Sequence, residues 1–342
     1  MSAMLNIRML KAFSGDSFII SYNNGNSRNT NILIDGGIGK TYRTLKKEIK
    51  EIEKRNEVID LLILTHTDSD HIGGILKYFQ DEGMNHLLIK KVLFNSASSL
   101  SKYFNTDFIK SRELTLSPLN SECSYRKGKS LEDYLEKNNI WNDEIIKFKD
   151  EFLLSGAKIT ILSPTIDTLK ELNKNWELEE NSDTECGGNN NDYNYTLEDL
   201  LKKTFCEDRS LANKSSIAFL FEYSDKNILM LGDAHAVIIA NSLKSMGYST
   251  KNKLKLDCVK LSHHGSKFNT SEELLSILDC SRYLISTNKS NRPHKETLAK
   301  IINSQQRVSF YYNYEHPGLL NIEEKTLYNF YEYVISNIVL EE

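Results

Sequence analysis

Two rhythms of apolar and polar positions alternate along the chain. Short continuous apolar runs, the pattern of strands buried on both faces, recur at residues 58–65 (VIDLLILT), 157–163 (AKITILS), 259–262 (VKLS) and 282–287 (RYLIST). Residues 5–21 and 31–37 read as two strands joined by an Asn/Gly/Ser turn, and residues 87–94 as another strand. Residues 215–223 and 227–232 read as a hairpin. Helical spacing appears at 41–56, after the polar cluster at 66–71, from about 236, at 271–279 and at 295–304. Strands and helices therefore alternate in both halves, which predicts an α/β fold in one domain spanning 1–342. Two polar, largely helical stretches, 96–155 and 164–212, interrupt the scaffold and are expected to form a cap beside the site. The Gly- and Asn-rich stretch 181–194 within the second is expected to be a mobile loop.

Composition changes this picture little. The 342 residues allow two domains or one large domain with insertions. Lys and Arg total 43 against 47 Asp and Glu, a net charge of −4, which argues against a protein that coats nucleic acid through bulk basicity. A local basic groove remains compatible with it. No apolar run approaches the roughly 18 residues that span a bilayer. The first 20 residues read as a strand rather than a secretion signal. Five cysteines without CxxC spacing suit a reducing compartment. A cytoplasmic protein without membrane partners is the expectation.

The chemistry concentrates at strand ends. His66-Thr67-Asp68-Ser69-Asp70-His71 places four metal-ligand side chains within six residues, directly after a buried strand. Imidazole and carboxylate together suit Zn²⁺ or Mn²⁺. His66 and Asp68 would face one ion, Asp70 and His71 its neighbour. Gly73 and Gly74 would let the following helix pack close. A helix cap alone needs no such set. Asp233 ends the strand of residues 227–232, and His263-His264-Gly265-Ser266 follows 259–262. One histidine of that pair can be a ligand while the other orients it or touches substrate. Asn291-Arg292-Pro293-His294 follows the last strand. His294 reads either as a cap-region residue or as a participant in the site.

This ordered set resembles the metallo-β-lactamase fold, and more narrowly the soluble hydrolase domain of the DNA-uptake protein ComEC and its freestanding relatives. Ser14-Gly15-Asp16-Ser17 resembles a Gly-Asp-Ser/Ala turn of that group, and Asp35-Gly36-Gly37 its strand-end Asp-Gly-Gly. His66 to His71 fits its HxDxDH variant, and Asn213 with Ser215-Ser216 resembles its Asn-x-Ser segment. The resemblance covers 5–95 and 212–310. It implies an αβ/βα sandwich of two mixed sheets flanked by helices, with two ions. The first would be held by His66 and Asp68, and the second by Asp70, His71 and His263, with His264 as the alternative. Asp233 would bridge. The chain departs from the pattern in lacking a further histidine for the first ion, where Asn95 is the expected substitute. It departs again in carrying Asn291-Arg292-Pro293 where relatives often have Gly-His-Pro.

Such a pair of ions shares a hydroxide for hydrolysis, with Asp70 or Asp233 orienting the water. Arg292 or His294 would stabilise charge or protonate the leaving oxygen. The expected activity is a phosphodiesterase or nuclease, so a nucleic acid or another phosphodiester is the expected substrate. The alternatives are an ester or lactone hydrolase, or a metal-bearing regulatory or binding module in a bacterial defence system. The insertions offer a surface for a protein partner.

Overall fold

The computed structural model describes residues 4–23, 25, 27–106, 124–141, 143–175 and 191–341. Most of the predicted loop, residues 181–190, lies outside them. The strands in chain order begin with β1 (Leu5–Met9), β2 (Phe18–Tyr22), β3 (Thr30–Ile34), β4 (Leu61–Ile63) and β5 (Val92–Leu93). Then follow β6 (Glu151–Leu154), β7 (Ala157–Ser163), β8 (Ala218–Tyr223), β9 (Lys226–Met230), β10 (Leu254–Leu256) and β11 (Cys258–Lys260). The last are β12 (Leu278–Cys280), β13 (Arg282–Ile285), β14 (Val308–Tyr312), β15 (Phe330–Val334) and β16 (Asn337–Leu340).

They form two large mixed sheets, in the orders β16-β1-β2-β3-β4-β5 and β15-β14-β13-β11-β9-β8-β7-β6, plus a small parallel pair of β10 and β12. Ile7, Phe18 and Ile20 of the first sheet meet Ile159, Phe219, Phe221 and Met230 of the second in a dry layer between them. Helices Tyr42–Lys54 and Ser69–Gln80 cover the outer face of the first sheet. Helices Ala236–Ser245, Glu272–Ile277 and Lys295–Ser304 cover that of the second. This four-layer arrangement is the α/β class expected from the sequence. Among the described residues, no helix is long and apolar enough to cross a membrane.

Three departures from the sequence reading matter. Residues 5–21 are not one strand: β1 and β2 pair antiparallel, with a loop at 10–17 between them. Glu151–Leu154, assigned to the first insertion, is the edge strand of the second sheet. Val308–Tyr312 and the two strands after it extend both sheets beyond the last element read from the sequence. Two described parts of the inserted segments contact the scaffold. Helix Ser124–Asn138 lies against helix Ser69–Gln80. Asp192 accepts the backbone N–H groups of Lys295 and Glu296 at 2.8 and 3.0 Å, capping the helix they open.

The parallel strands β9, β11 and β13 end on one edge of the second sheet, and the loops after β9 and β11 meet the loop after β4 of the first sheet there. Gly36 and Gly74 set how closely the first helix layer approaches that edge. A Cβ on Gly74 would sit 2.0 Å from the Gly36 carbonyl oxygen. Gly74→Ala is therefore expected to destabilise the fold by about 1–3 kcal/mol, the usual cost of overpacking. A lowered urea midpoint of the metal-free protein checks it; an unchanged midpoint would contradict this close approach.

Candidate metal centre

Asp35, just after β3, organises the first histidines. Its carboxylate accepts the Thr65 N–H and hydroxyl at 2.8 Å each, and it accepts a hydrogen bond from Nδ1 of His71 at 2.7 Å. The Thr65 hydroxyl in turn lies 3.0 Å from Nδ1 of His66, as acceptor. With Nδ1 protonated, each ring presents the lone pair of Nε2 inward. His264 follows the same rule from the opposite sheet, its Nδ1 donating to the Ser286 carbonyl at 2.8 Å.

The three Nε2 atoms of His66, His71 and His264 are buried and have no hydrogen-bond partner, and Oδ1 of Asp233 is the same. Buried polar atoms rarely stay unpaired. Nε2 of His71 lies 3.4 Å from Asp233 Oδ2 and 3.9 Å from Asp70 Oδ1. Nε2 of His264 lies 3.6 Å from Asp70 Oδ2. His66 Nε2 stands 3.5 Å from Asp68 Oδ2 and 3.9 Å from Asp233 Oδ2. These separations are too long for good hydrogen bonds and suit donors gathered around a cation. The donor set therefore fits a divalent ion between His71, His264, Asp70 and Asp233, with His66 and Asp68 as the start of a second position.

The charges agree. Burial disfavours the imidazolium of His71, yet the Asp233 and Asp35 carboxylates outweigh it and raise its pKa. Burial likewise works against the Asp233 carboxylate, but the neighbouring histidines hold its pKa well below the usual range. A site this rich in carboxylates holds protons when no metal competes for the imidazoles.

Asp16 belongs to this cluster and was not singled out as a ligand from the sequence. One ligand atom each from Asp16, His71, Asp233 and His264 lies within 4.8 Å of the others. Asp16 Oδ1 is 3.2 Å from His264 Nδ1, and Oδ2 pairs with the ammonium of Lys260, itself buried. Lys260 also donates to the Gly232 carbonyl at 2.9 Å and stands 3.8 Å from Asp233 Oδ1.

The structure places several predicted residues differently. Of the adjacent pair it is His264 that reaches Asp70. His263, with φ 46°, turns to the other side, where its Nδ1 lies 3.3 Å from Asp208 and 3.2 Å from Asn269 Oδ1. Asn95 is no substitute ligand: its amide donates to the Ile146 carbonyl and accepts the Ile146 N–H, at 2.8 and 2.7 Å. Its side chain is consumed in tying the first insertion to β5. His294 accepts the Lys267 N–H on Nδ1 at 3.1 Å, and Arg292 Nη1 stands 3.2 Å from its Nε2. Burial, with Arg292 and Lys267 beside it, pushes its pKa down to about 2. Both of its ring nitrogens are thus engaged by Lys267 and Arg292, neighbours outside the cluster of His71, His264, Asp70 and Asp233. The Arg292 guanidinium is buried against His294 and the Asn291 carbonyl rather than extended at the mouth. Lys289 stands near the site instead, its ammonium 3.5 Å from Asp70 Oδ2. Lys127 of the first insertion donates to the Ser69 hydroxyl.

Comparison with known proteins gives the same fold context. The sequence profile of the metallo-beta-lactamase superfamily matches residues 11–116, the stretch holding Asp16, Asp35 and His66 to His71. No curated protein matches the sequence significantly. Among solved structures, the chain is similar to the metallo-beta-lactamase fold protein YhfI from Bacillus subtilis, at 8% identity over 99% of this chain and 100% of that one, with a TM-score of 0.44. It is also similar to zinc-bound PqqB from Methylobacterium extorquens, at 12% identity over 98% and 100% of the two chains, with a TM-score of 0.45.

Asp70→Ala and His264→Ala are each expected to lose most bound metal, typically 10–100-fold or more in affinity. His263→Ala and Asn95→Ala should retain it, the latter with lowered stability. Elemental analysis of the four purified variants checks the set, and metal loss in His263→Ala with retention in His264→Ala would reverse the assignment. Because the pKa of His71 is raised, a proton competes with the metal to higher pH than for a free imidazole. Metal affinity should therefore fall as pH drops, with protons released on binding, which calorimetry in buffers of different ionisation enthalpy measures.

Proposed function

We propose that the chain is a metal-dependent hydrolase of phosphodiesters, in keeping with its resemblance to the ComEC-type domain. The observation that carries this reading is the charge at the mouth of the cluster. The chain is acidic overall, yet the described side chains next to Asp70 and Ser69 include the ammonium groups of Lys289 and Lys127. A cationic mouth above a carboxylate-rich cluster suits an anionic ester that meets a divalent ion.

A divalent ion held there supplies a Lewis acid and lowers the pKa of water, so no strong base is required near neutral pH. Asp70 and Asp233 would hold the ion, and their carboxylates would orient the attacking water. Asp35 keeps His71 in the tautomer that leaves Nε2 free, and the Ser286 carbonyl does the same for His264. Lys289 pairs with a non-bridging phosphate oxygen. His263 is half-buried, and Asp208 holds its Nδ1, which leaves Nε2 for the substrate or the leaving oxygen. In this reading His263 takes the role that the sequence offered to His294.

The test is hydrolysis by the Mn²⁺ and Zn²⁺ forms of single-stranded DNA, plasmid DNA, RNA and bis(p-nitrophenyl) phosphate, with carboxylic esters and lactones alongside. Diester turnover that disappears in Asp233→Asn is expected. Turnover of carboxylic esters alone would favour the ester or lactone hydrolase, and metal binding without any turnover would favour a regulatory module. Lys289→Ala should raise KM for a diester roughly 10–150-fold, the value of a charge-assisted hydrogen bond. An unchanged KM would take Lys289 out of substrate binding.

A further inference from the structure

The loop between β1 and β2 carries more than Asp16. Gly15 lies so close to the metal loop that a Cβ there would sit 1.8 Å from the Asp70 carbonyl oxygen, and the Asp16 N–H donates to the same oxygen at 3.1 Å. Two residues earlier, Phe13 adopts φ 61°. It is the one phenylalanine, tyrosine or tryptophan in the left-handed region among the described residues. A bulky side chain is strained there, and such strain persists only where the surroundings impose it.

The surroundings do impose it. The Phe13 N–H donates to the Tyr314 hydroxyl at 2.9 Å, and its carbonyl accepts the Asn288 N–H at 2.9 Å. Asn288 immediately precedes Lys289, the residue whose ammonium faces Asp70. Tyr314 in turn stands 5.7 Å beneath the Lys11 ammonium. Both backbone groups of Phe13 are thus spent on holding it beside the cationic edge of the metal centre. Its ring is not part of the core: Phe13 is 37% exposed, where burying it would have been the ordinary use of a phenylalanine.

We infer that Phe13 is a substrate-binding residue, on which a planar ring carried by the phosphodiester stacks while Lys289 holds the phosphate. The inference rests on the phosphodiesterase reading for its phosphate and adds the ring. A nucleobase is the ring that a natural diester brings, and aromatic stacking accepts any base through its π-face. The strain has a use in this arrangement. With the backbone of Phe13 already fixed by its two tethers, only side-chain freedom is left to lose when a base settles on the ring.

The test compares wild type, Phe13→Gly and Phe13→Trp, all metal-loaded, for binding of a fluorescein-labelled phosphorothioate octathymidylate by anisotropy. Glycine takes φ 61° without strain, so Phe13→Gly is expected to keep the fold and the metal content. It should weaken binding about 5- to 150-fold, the value of one base–aromatic stack. Phe13→Trp should restore binding to within a few-fold of wild type. Equal affinity of wild type and Phe13→Gly, or no binding by wild type, overturns the role of Phe13. Turnover of bis(p-nitrophenyl) phosphate by wild type judges the hydrolase reading separately. That reading survives a failure at Phe13 if turnover is seen, and falls without it even where the octathymidylate binds.

Discussion

Three carboxylates, those of Asp16, Asp35 and Asp233, are almost wholly removed from water at one edge of the sandwich. An unpaired buried charge costs several kcal/mol, so each must meet a positive partner inside the protein. Much else in the fold follows from that requirement. Asp16 meets Lys260, which explains a buried lysine at the end of an otherwise apolar strand. Asp35 meets His71 and the Thr65 hydroxyl, fixing the ring whose other nitrogen faces Asp233. Asp233 itself is served by histidines and only distantly by Lys260, and this leaves it open to a metal ion. The two sheets contribute opposite halves of the cluster, and the apolar layer between them is what keeps those halves in register.

The parts of this centre that were legible in the sequence share one property: their ligands are crowded at the end of an apolar run. His66 to His71 and Asp233 stand out for that reason. Asp16 does not: the apolar pattern alone makes 5–21 look like one strand, and the resemblance marks Ser14 to Ser17 as a turn without making Asp16 a ligand. Lys260 was hidden between the apolar Val259 and Leu261 of the run VKLS. The pair His263 and His264 shows a different limit. Both residues sit at positive φ, 46° and 56°, so a tight left-handed turn decides which ring faces Asp70, and local pattern carries no record of it. Asn95 was read for its place after a strand, but only tertiary contact revealed that its amide is spent on Ile146. The last three strands went unread because their buried positions are separated rather than continuous, as at Asn337–Leu340, where buried and exposed residues alternate.

The inserted segments are not ornaments on a finished scaffold. Asp208 holds His263, Asp192 caps the helix that begins at Lys295, and Lys127 reaches the hydroxyl next to Asp70. Each supplies a polar partner that the sheets do not provide at that point. The division into scaffold and insertion, natural in the sequence, therefore dissolves at the site, where residues from both share hydrogen bonds.

The pairing of β16 with β1 has a consequence for how the chain comes to be folded. Leu5 pairs with Leu340 and Ile7 with Ile338, so the first sheet has an open edge until the most distant strand arrives. During synthesis β1, β2 and β3 emerge early, but their outer edge stays available to any other extended chain. Contacts of such long sequence separation also close slowly, since loop-closure entropy is spent before they form. Completion of this sheet thus waits until residues 337–340 have been made, and until then the edge of β1 is open to aggregation.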